Sequence, residues 1–374
     1  VCKAVGGEGL AGVRGVDVLV RERSRGSGLT NGEPDQNTPD VVKEAAKAAL
    51  DANDTHYPPG NGYPYMLKAI SEFEEREHGL HYDPEEVILT IGATESLHIA
   101  LATVLNPGDE VIIPTPSFSL YASITRLCRG VPVNLPTEDN HFQVDPEALK
   151  AAINEKTKAI ILTSPNNPTG CIYTKETLDA IHDILVDKPI FVLCDDVYRT
   201  LVYTENYHSF SEYQDMRDRI IVINSFSKPY AMTGWRLGYC LADAPIRDRM
   251  QIFHQYMVVS APSFVQPACV AALESDTSGM VEIFRKRRDY VYKRLTGMGL
   301  EVQEPEGAFY MFINIKKYGM DSLTFCEKML KEGLVGLIPG CYFDCEGYMR
   351  LSYCYSDEDL KEGLDRIEKF IKTL

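Results

Sequence analysis

Tryptophan occurs once in this 374-residue sequence, no two cysteines form a C-x-x-C pair, and no run of more than four basic residues is present. Each scarcity excludes something. The nearest cysteines, Cys341 and Cys345, have no histidine close by. Neither a zinc site nor a disulfide framework is therefore expected, and the ten cysteines read as reduced thiols. A net charge of −16 without an extended basic stretch argues against a nucleic-acid partner, whose phosphates demand a positive surface. Small pockets for anions remain open. No apolar run is long enough to cross a bilayer, and no signal-peptide pattern is seen. The expectation is a cytoplasmic protein with no metal and no membrane partner.

What is present is ordinary in amount and informative in order. Hydrophobic residues make up 44% and charged residues 25%, as in a soluble globular chain, and the length suits two unequal domains. Short apolar runs at 87–91, 111–113, 159–162, 190–193 and 220–223 read as buried strands, several of them separated by helical patterns. The spacing predicts a helix over 39–50, with Thr38 as N-cap and Pro39 in its first position. A second is predicted over 174–186, with Thr174 as N-cap. Strands alternating with helices imply an α/β fold, a mainly parallel sheet sandwiched by helices. Past Ala244 the pattern becomes more helical. It ends as a smaller α/β unit, with strands near 310–315 and 349–353 and helices near 322–332 and 357–372. Residues 1–28 are glycine-rich and charged, and read as a tail or a docking arm.

In a parallel sheet, ligands bind beyond the carboxyl ends of the strands, and the chemistry-bearing residues cluster there. After the run 220–223 come Ser225, Ser227, Lys228 and Arg236, with the sole tryptophan, Trp235, beside the arginine. A partly desolvated lysine can act as a nucleophile toward an aldehyde, and serines with an arginine can hold a phosphate. Aldehyde and phosphate on one ligand suggest pyridoxal 5'-phosphate, bound to Lys228 as a Schiff base. A solvated turn is the plain alternative. Gly92-Ala93-Thr94 opens a helix, whose first N–H groups can seat a phosphate, although such turns are commonly only caps. Asn167, in the turn Ser164 to Gly170, can donate to the cofactor's phenolic oxygen. Asp195 and Asp196 both end a buried strand, and either can pair with a protonated pyridine nitrogen.

The run S-x-S-K-x-x-x-M-T-G-W-R-L-G-Y closely resembles the lysine segment of class I/II aminotransferases, the pyridoxal-phosphate enzymes of fold type I. P-N-N-P-T-G at 165–170, D-x-x-Y at 195–198 and L-x-x-G-x-P-D at 29–35 fall in the order of that family. The resemblance implies that Lys228 holds the cofactor and later moves the substrate's Cα proton. It selects Asp195 over Asp196 for the ring nitrogen and assigns Tyr198 to the phenolic oxygen. Phe118 would stack on the ring. Gly92, Ala93, Thr94, Ser225, Ser227 and Arg236 would surround the phosphate, with Tyr57 reaching in from the partner subunit of a homodimer. Arg350, with Asn167 and Gly32, would take the substrate carboxylate. The implied division is 40–272 for a large cofactor-binding domain and 1–39 plus 273–374 for a small one.

The function so implied is transfer of an amino group from an L-amino acid to a 2-oxo acid, with 2-oxoglutarate as the common acceptor. The segment P-T-P-S-F-S-L-Y is unlike the tryptophan-bearing version of the aspartate branch, which favours a broad or aromatic-tolerant donor range. A C–S β-lyase on the same scaffold is the alternative. It would release pyruvate and ammonia without an oxo acid. A non-catalytic sensor is more remote, since such regulators carry an extra nucleic-acid-binding domain, none is visible in this sequence, and the chain is acidic.

Overall fold

A computed structural model describes residues 27–374. Residues 1–26, on which most of the tail expectation falls, lie outside the described residues. Seven strands form one sheet: β1 (Val87–Thr90), β2 (Glu110–Thr115), β3 (Val131–Pro136), β4 (Thr157–Thr163), β5 (Phe191–Asp195), β6 (Ile220–Ser225) and β7 (Gly238–Ala242). Their order is β1-β7-β6-β5-β4-β2-β3. Every pairing from β6 to β3 is parallel, and β7 runs antiparallel to both its neighbours.

The near-continuous apolar runs have a direct cause. Side chains alternate across a strand, and here both faces are covered. Val87, Ile112, Ile160, Val192 and Val222 join one buried cluster. Their neighbours Ile88, Ile113, Ile161, Leu193 and Ile223 join a second, on the other face. Two strands escape the sequence pattern. β3 carries Pro132 and Pro136 and is largely exposed, which only an edge strand tolerates. β7 follows the lysine segment directly and contributes the one reversed direction.

A smaller antiparallel sheet is built by β8 (Glu301–Val302), β9 (Tyr310–Asn314), β10 (Ile338–Pro339) and β11 (Tyr348–Ser352), in the order β10-β11-β9-β8. The segment entering the described chain belongs with it. Ser27–Gly28 pairs in parallel with Val335–Gly336. Leu29 then packs against the helix Asp357–Ile371 at Gly363, where an added Cβ would lie 2.7 Å from the leucine. The helices expected near 322–332 and 357–372 are present as Ser322–Lys328, continued by a wider turn over Met329–Gly333, and Asp357–Ile371.

Thr174 caps its helix as expected, accepting from the backbone of Thr177. Thr38 does not cap. The first helix starts at Asp40, with Pro39 in the cap position. The Thr38 hydroxyl instead donates to Ala231 O at 2.7 Å and accepts from Trp235 Nε1 at 3.2 Å. It is spent on anchoring the loop that follows Lys228. Among the described residues, no helix is long and apolar enough to cross a membrane.

Candidate active site

The carboxyl ends of β1, β2, β4, β5 and β6 each deliver a predicted residue. Lys228 stands just beyond β6, where its Nζ donates to the carbonyl of Gly32. The amine is half-buried, and desolvation lowers its pKa to about 8. Gly32 has no room for a side chain, because a Cβ there would sit 2.2 Å from the hydroxyl of Tyr310.

Asp195 ends β5 and is buried. Its Oδ2 accepts from the Tyr121 hydroxyl at 2.7 Å, and Thr163 Oγ1 donates to that same hydroxyl at 2.7 Å. Its Oδ1 is buried with no partner. Burial raises this carboxyl to about 6, opposed by the Tyr121 hydrogen bond. Asp196 is otherwise engaged: its Oδ2 accepts from Ser209 at 2.8 Å and Ser211 at 3.2 Å, with Arg199 3.8 Å away. The structure thus separates the two acids that the strand end left open.

Asn167 and Arg350 meet from opposite ends of the chain. Arg350 lies on β11, paired with Phe312 on one side and Ile338 on the other. Its Nη1 donates to Asn167 Oδ1 at 2.8 Å and its Nη2 to Thr30 O at 2.6 Å. The rings of Tyr310 and Phe343 lie 4.5 and 5.0 Å from the guanidinium carbon. Asn166 holds the turn instead, accepting from Thr169 N at 3.2 Å, which leaves the Asn167 side chain to the site. The Tyr198 hydroxyl is 2.8 Å from that of Tyr310. Phe118 is half-buried, with its ring edge-on to Tyr121 at 6.1 Å.

At the far end, Gly92 precedes the helix Ala93–Val104 with φ 77°. A Cβ at Gly92 would lie 2.8 Å from Arg236 Nη2, so the glycine leaves the space that the guanidinium fills. This brings Arg236 to the first N–H groups of that helix, which have no intrahelical partner. The Ser225 hydroxyl is occupied by the turn, donating to Leu237 O at 3.2 Å and accepting from Ser227 N at 3.1 Å. Tyr57 stands apart, 85% exposed on its loop.

Tyr121, Thr163 and Tyr310 were not found from sequence. The only signal is that Tyr121 follows Phe118 by three residues, and nothing marks Tyr310 except its place at the start of β9.

The family described as aminotransferase class I and II matches residues 26–367. The chain is 40% identical to a probable N-acetyl-LL-diaminopimelate aminotransferase of Bacillus subtilis, over 97% of this chain and 93% of that one. It is 41% identical to an aspartate aminotransferase of Pyrococcus abyssi, over 91% and 90%. The crystal structure of an aromatic aminotransferase from Pyrococcus horikoshii superposes with a TM-score of 0.91 at 38% identity, covering 96% of this chain and 99% of that one.

The chain belongs to the class I and II aminotransferases. It is a transaminase of fold type I that depends on pyridoxal phosphate and acts on amino acids and 2-oxo acids. The side chains of this aminotransferase fit the cofactor. The orphaned Asp195 Oδ1 suits a ring N–H, the lowered amine of Lys228 suits an aldehyde, and the Gly92–Arg236 contact suits a phosphate.

Proposed function

We propose that this aminotransferase has a broad donor range that includes aromatic amino acids, passes the amino group to 2-oxoglutarate, and works as a cytoplasmic homodimer. The observation that carries the donor range is the aromatic lining of the carboxylate site. Arg350 lies against Tyr310 and Phe343, with half-buried Phe118 on the large-sheet side. The aspartate and aromatic activities named for its relatives support the same range.

The residue roles proposed are those the family resemblance implies, and the chemistry of the site supports them. When bound, pyridoxal phosphate supplies a carbonyl for the amino group and an electron-poor ring that stabilises charge left at the substrate Cα. Lys228 Nζ holds the cofactor at rest and afterwards takes the proton from the substrate Cα. Ionised Asp195 presents Oδ1 to the ring nitrogen, with Oδ2 fixed by Tyr121. Tyr198 and Asn167 donate to the phenolic oxygen. Arg350 binds the substrate carboxylate as a charge-assisted pair, with Asn167 and the Gly32 loop beside it. Gly92, Ala93, Thr94, Ser227 and Arg236 enclose the phosphate, with Ser225 shaping the turn beneath them. Phe118 packs on the ring face.

Two further assignments rest on exposure and packing. Tyr57 is 85% exposed, and Tyr256, at 87%, shares its helix with the exposed Ile252, Phe253 and Met257. A second copy of the chain covering this face would carry Tyr57 into the neighbouring site. The apolar clusters support a small unit that joins the segment around Leu29 to 273–374, apart from a large unit over 40–272, since Leu29 is buried with Phe284, Phe309 and Leu364. The unpaired state of every described cysteine accords with a reducing compartment.

The test is an absorbance spectrum of the purified enzyme, repeated after single additions of L-amino acids without an oxo acid. Aspartate and aromatic donors are each expected to bleach the visible band and release one matching 2-oxo acid, and Lys228→Ala to have no such band. Bleaching by aspartate alone would overturn the broad range, and continuous release of pyruvate and ammonia would overturn amino transfer.

A further inference from the structure

One side chain touches nearly every part of the carboxylate end without having been given a role. Tyr310 begins β9, beside the strand that carries Arg350. It is 1% exposed. Its hydroxyl lies 2.8 Å from the hydroxyl of Tyr198. Its ring lies 4.5 Å beneath the guanidinium carbon of Arg350. The same hydroxyl fills the space that a Cβ on Gly32 would need, and the carbonyl of Gly32 receives Lys228 Nζ. A phenylalanine would pack equally well against Arg350, so the hydroxyl requires its own explanation. A buried hydroxyl facing a second hydroxyl has a single use, to donate to it or accept from it.

We propose that Tyr310 is a positioning residue whose hydroxyl donates to Tyr198 and so strengthens the hydrogen bond that Tyr198 gives to the cofactor's phenolic oxygen. A tyrosine hydroxyl has one proton. If Tyr198 spends its proton on the phenolic oxygen, only Tyr310 can supply the proton between the two hydroxyls. A donor that itself accepts a hydrogen bond is polarised and donates more strongly. The guanidinium over the Tyr310 ring draws electron density from that ring and makes its hydroxyl a better donor. The result is a two-hydroxyl relay from the substrate-carboxylate arginine to the cofactor oxygen, made of side chains 112 residues apart in sequence.

This proposal rests on the assignment of Tyr198 to the phenolic oxygen, and the test separates the two. The measurement is the pH at which the visible band of the lysine-bound cofactor changes colour, in the wild type, Tyr310→Phe, Tyr198→Phe and the double variant. A donor to the phenolic oxygen stabilises its negative charge, so weakening that donor makes the oxygen hold the neighbouring imine proton more tightly. Tyr198→Phe is expected to raise the midpoint. Tyr310→Phe is expected to raise it by less, about half a unit. In the Tyr198→Phe background, Tyr310→Phe is expected to add nothing, because the relay has lost its last member. A shift for Tyr198→Phe with none for Tyr310→Phe, or equal shifts for Tyr310→Phe in both backgrounds, overturns the relay alone. No shift for Tyr198→Phe overturns the assignment beneath it.

Discussion

Arg350 on the small sheet donates to Asn167 Oδ1 of the large-sheet turn at 2.8 Å, and the two are 183 residues apart in sequence. The contact bridges the two sheets where the substrate carboxylate is proposed to sit. Its bond to Asn167 aligns Arg350, whose Nε has no partner of its own. Asn167→Ala removes a charge-assisted hydrogen bond of about 1.5–3 kcal/mol and leaves the guanidinium less well placed. The expected result is a fall in kcat/KM for the amino donor of roughly 10- to 150-fold. Steady-state kinetics on the variant with its cofactor loaded checks this.

Cofactor loading has a pH dependence whose sign can be worked out from two groups. Burial raises the Asp195 carboxyl to about 6, so below that pH it is protonated and has no charge to offer a ring N–H. Desolvation lowers the Lys228 amine to about 8, so above that pH it is free to attack an aldehyde. Loading of the cofactor-free enzyme is expected to strengthen as pH rises through about 6 and to quicken again through about 8. Stopped-flow growth of the visible band after mixing with pyridoxal phosphate reads both. A rate independent of pH between about 5 and about 9 contradicts the two assignments.

Tyr121→Phe probes the support behind Asp195. Losing the 2.7 Å hydrogen bond to Oδ2 removes an influence that favours the ionised carboxylate, so the lower midpoint is expected to move upward. The same loading titration reads it. The midpoint near 8 should stay in place, because Tyr121 does not touch Lys228.

Much of this was legible in the sequence, for reasons that also explain what was not. A strand buried on both faces must be apolar throughout, so five of the seven large-sheet strands announced themselves. β3 did not, because an edge strand admits proline and exposed positions. Asp195 and Asp196 are equal as composition. Adjacent residues at a strand end face opposite ways, and only the fold shows that one meets Tyr121 while the other meets Ser209. Tyr310 and Tyr121 are two of 21 tyrosines, and their roles arise from contacts across the fold that no local spacing encodes. Thr38 went the other way. Its sequence context suited a helix cap, and the tertiary contact to Ala231 won.

Tyr57 offers a test that distinguishes packing from a role in the neighbouring site. With 85% of its surface exposed, Tyr57→Ala is expected to change the stability of the chain by no more than about 0.5 kcal/mol. If the residue reaches a partner's cofactor, the variant should nonetheless lose pyridoxal phosphate faster on dialysis than the wild type. Light scattering on both proteins, each expected to be dimeric, shows whether assembly itself was disturbed.

The largest stability effect is expected away from the chemistry, at Glu74. This helix carboxylate pairs with Arg199 and accepts from the Tyr239 hydroxyl, and both charged side chains are 1% exposed or less. Burial pushes the Glu74 carboxyl up, but the Arg199 charge and hydrogen bond outweigh it and hold the group below its ordinary value. A carboxyl depressed in the folded state contributes stability above its unfolded pKa of about 4.3, and that contribution is lost as pH falls through the lower folded value. Asp196, raised to about 6 chiefly by burial, works in the opposite sense, so the wild-type acid limb mixes both. Glu74→Gln isolates the first. It leaves Arg199 buried with only Asp196, 3.8 Å away, and is expected to cost about 3–5 kcal/mol at neutral pH. The difference from the wild type should shrink as pH falls through the depressed folded-state value, below which the wild-type carboxyl is itself protonated. Urea unfolding of both proteins at several pH values reads the cost and its decay. A constant difference across that range would mean that the glutamate contributes by shape and hydrogen bonding rather than by charge.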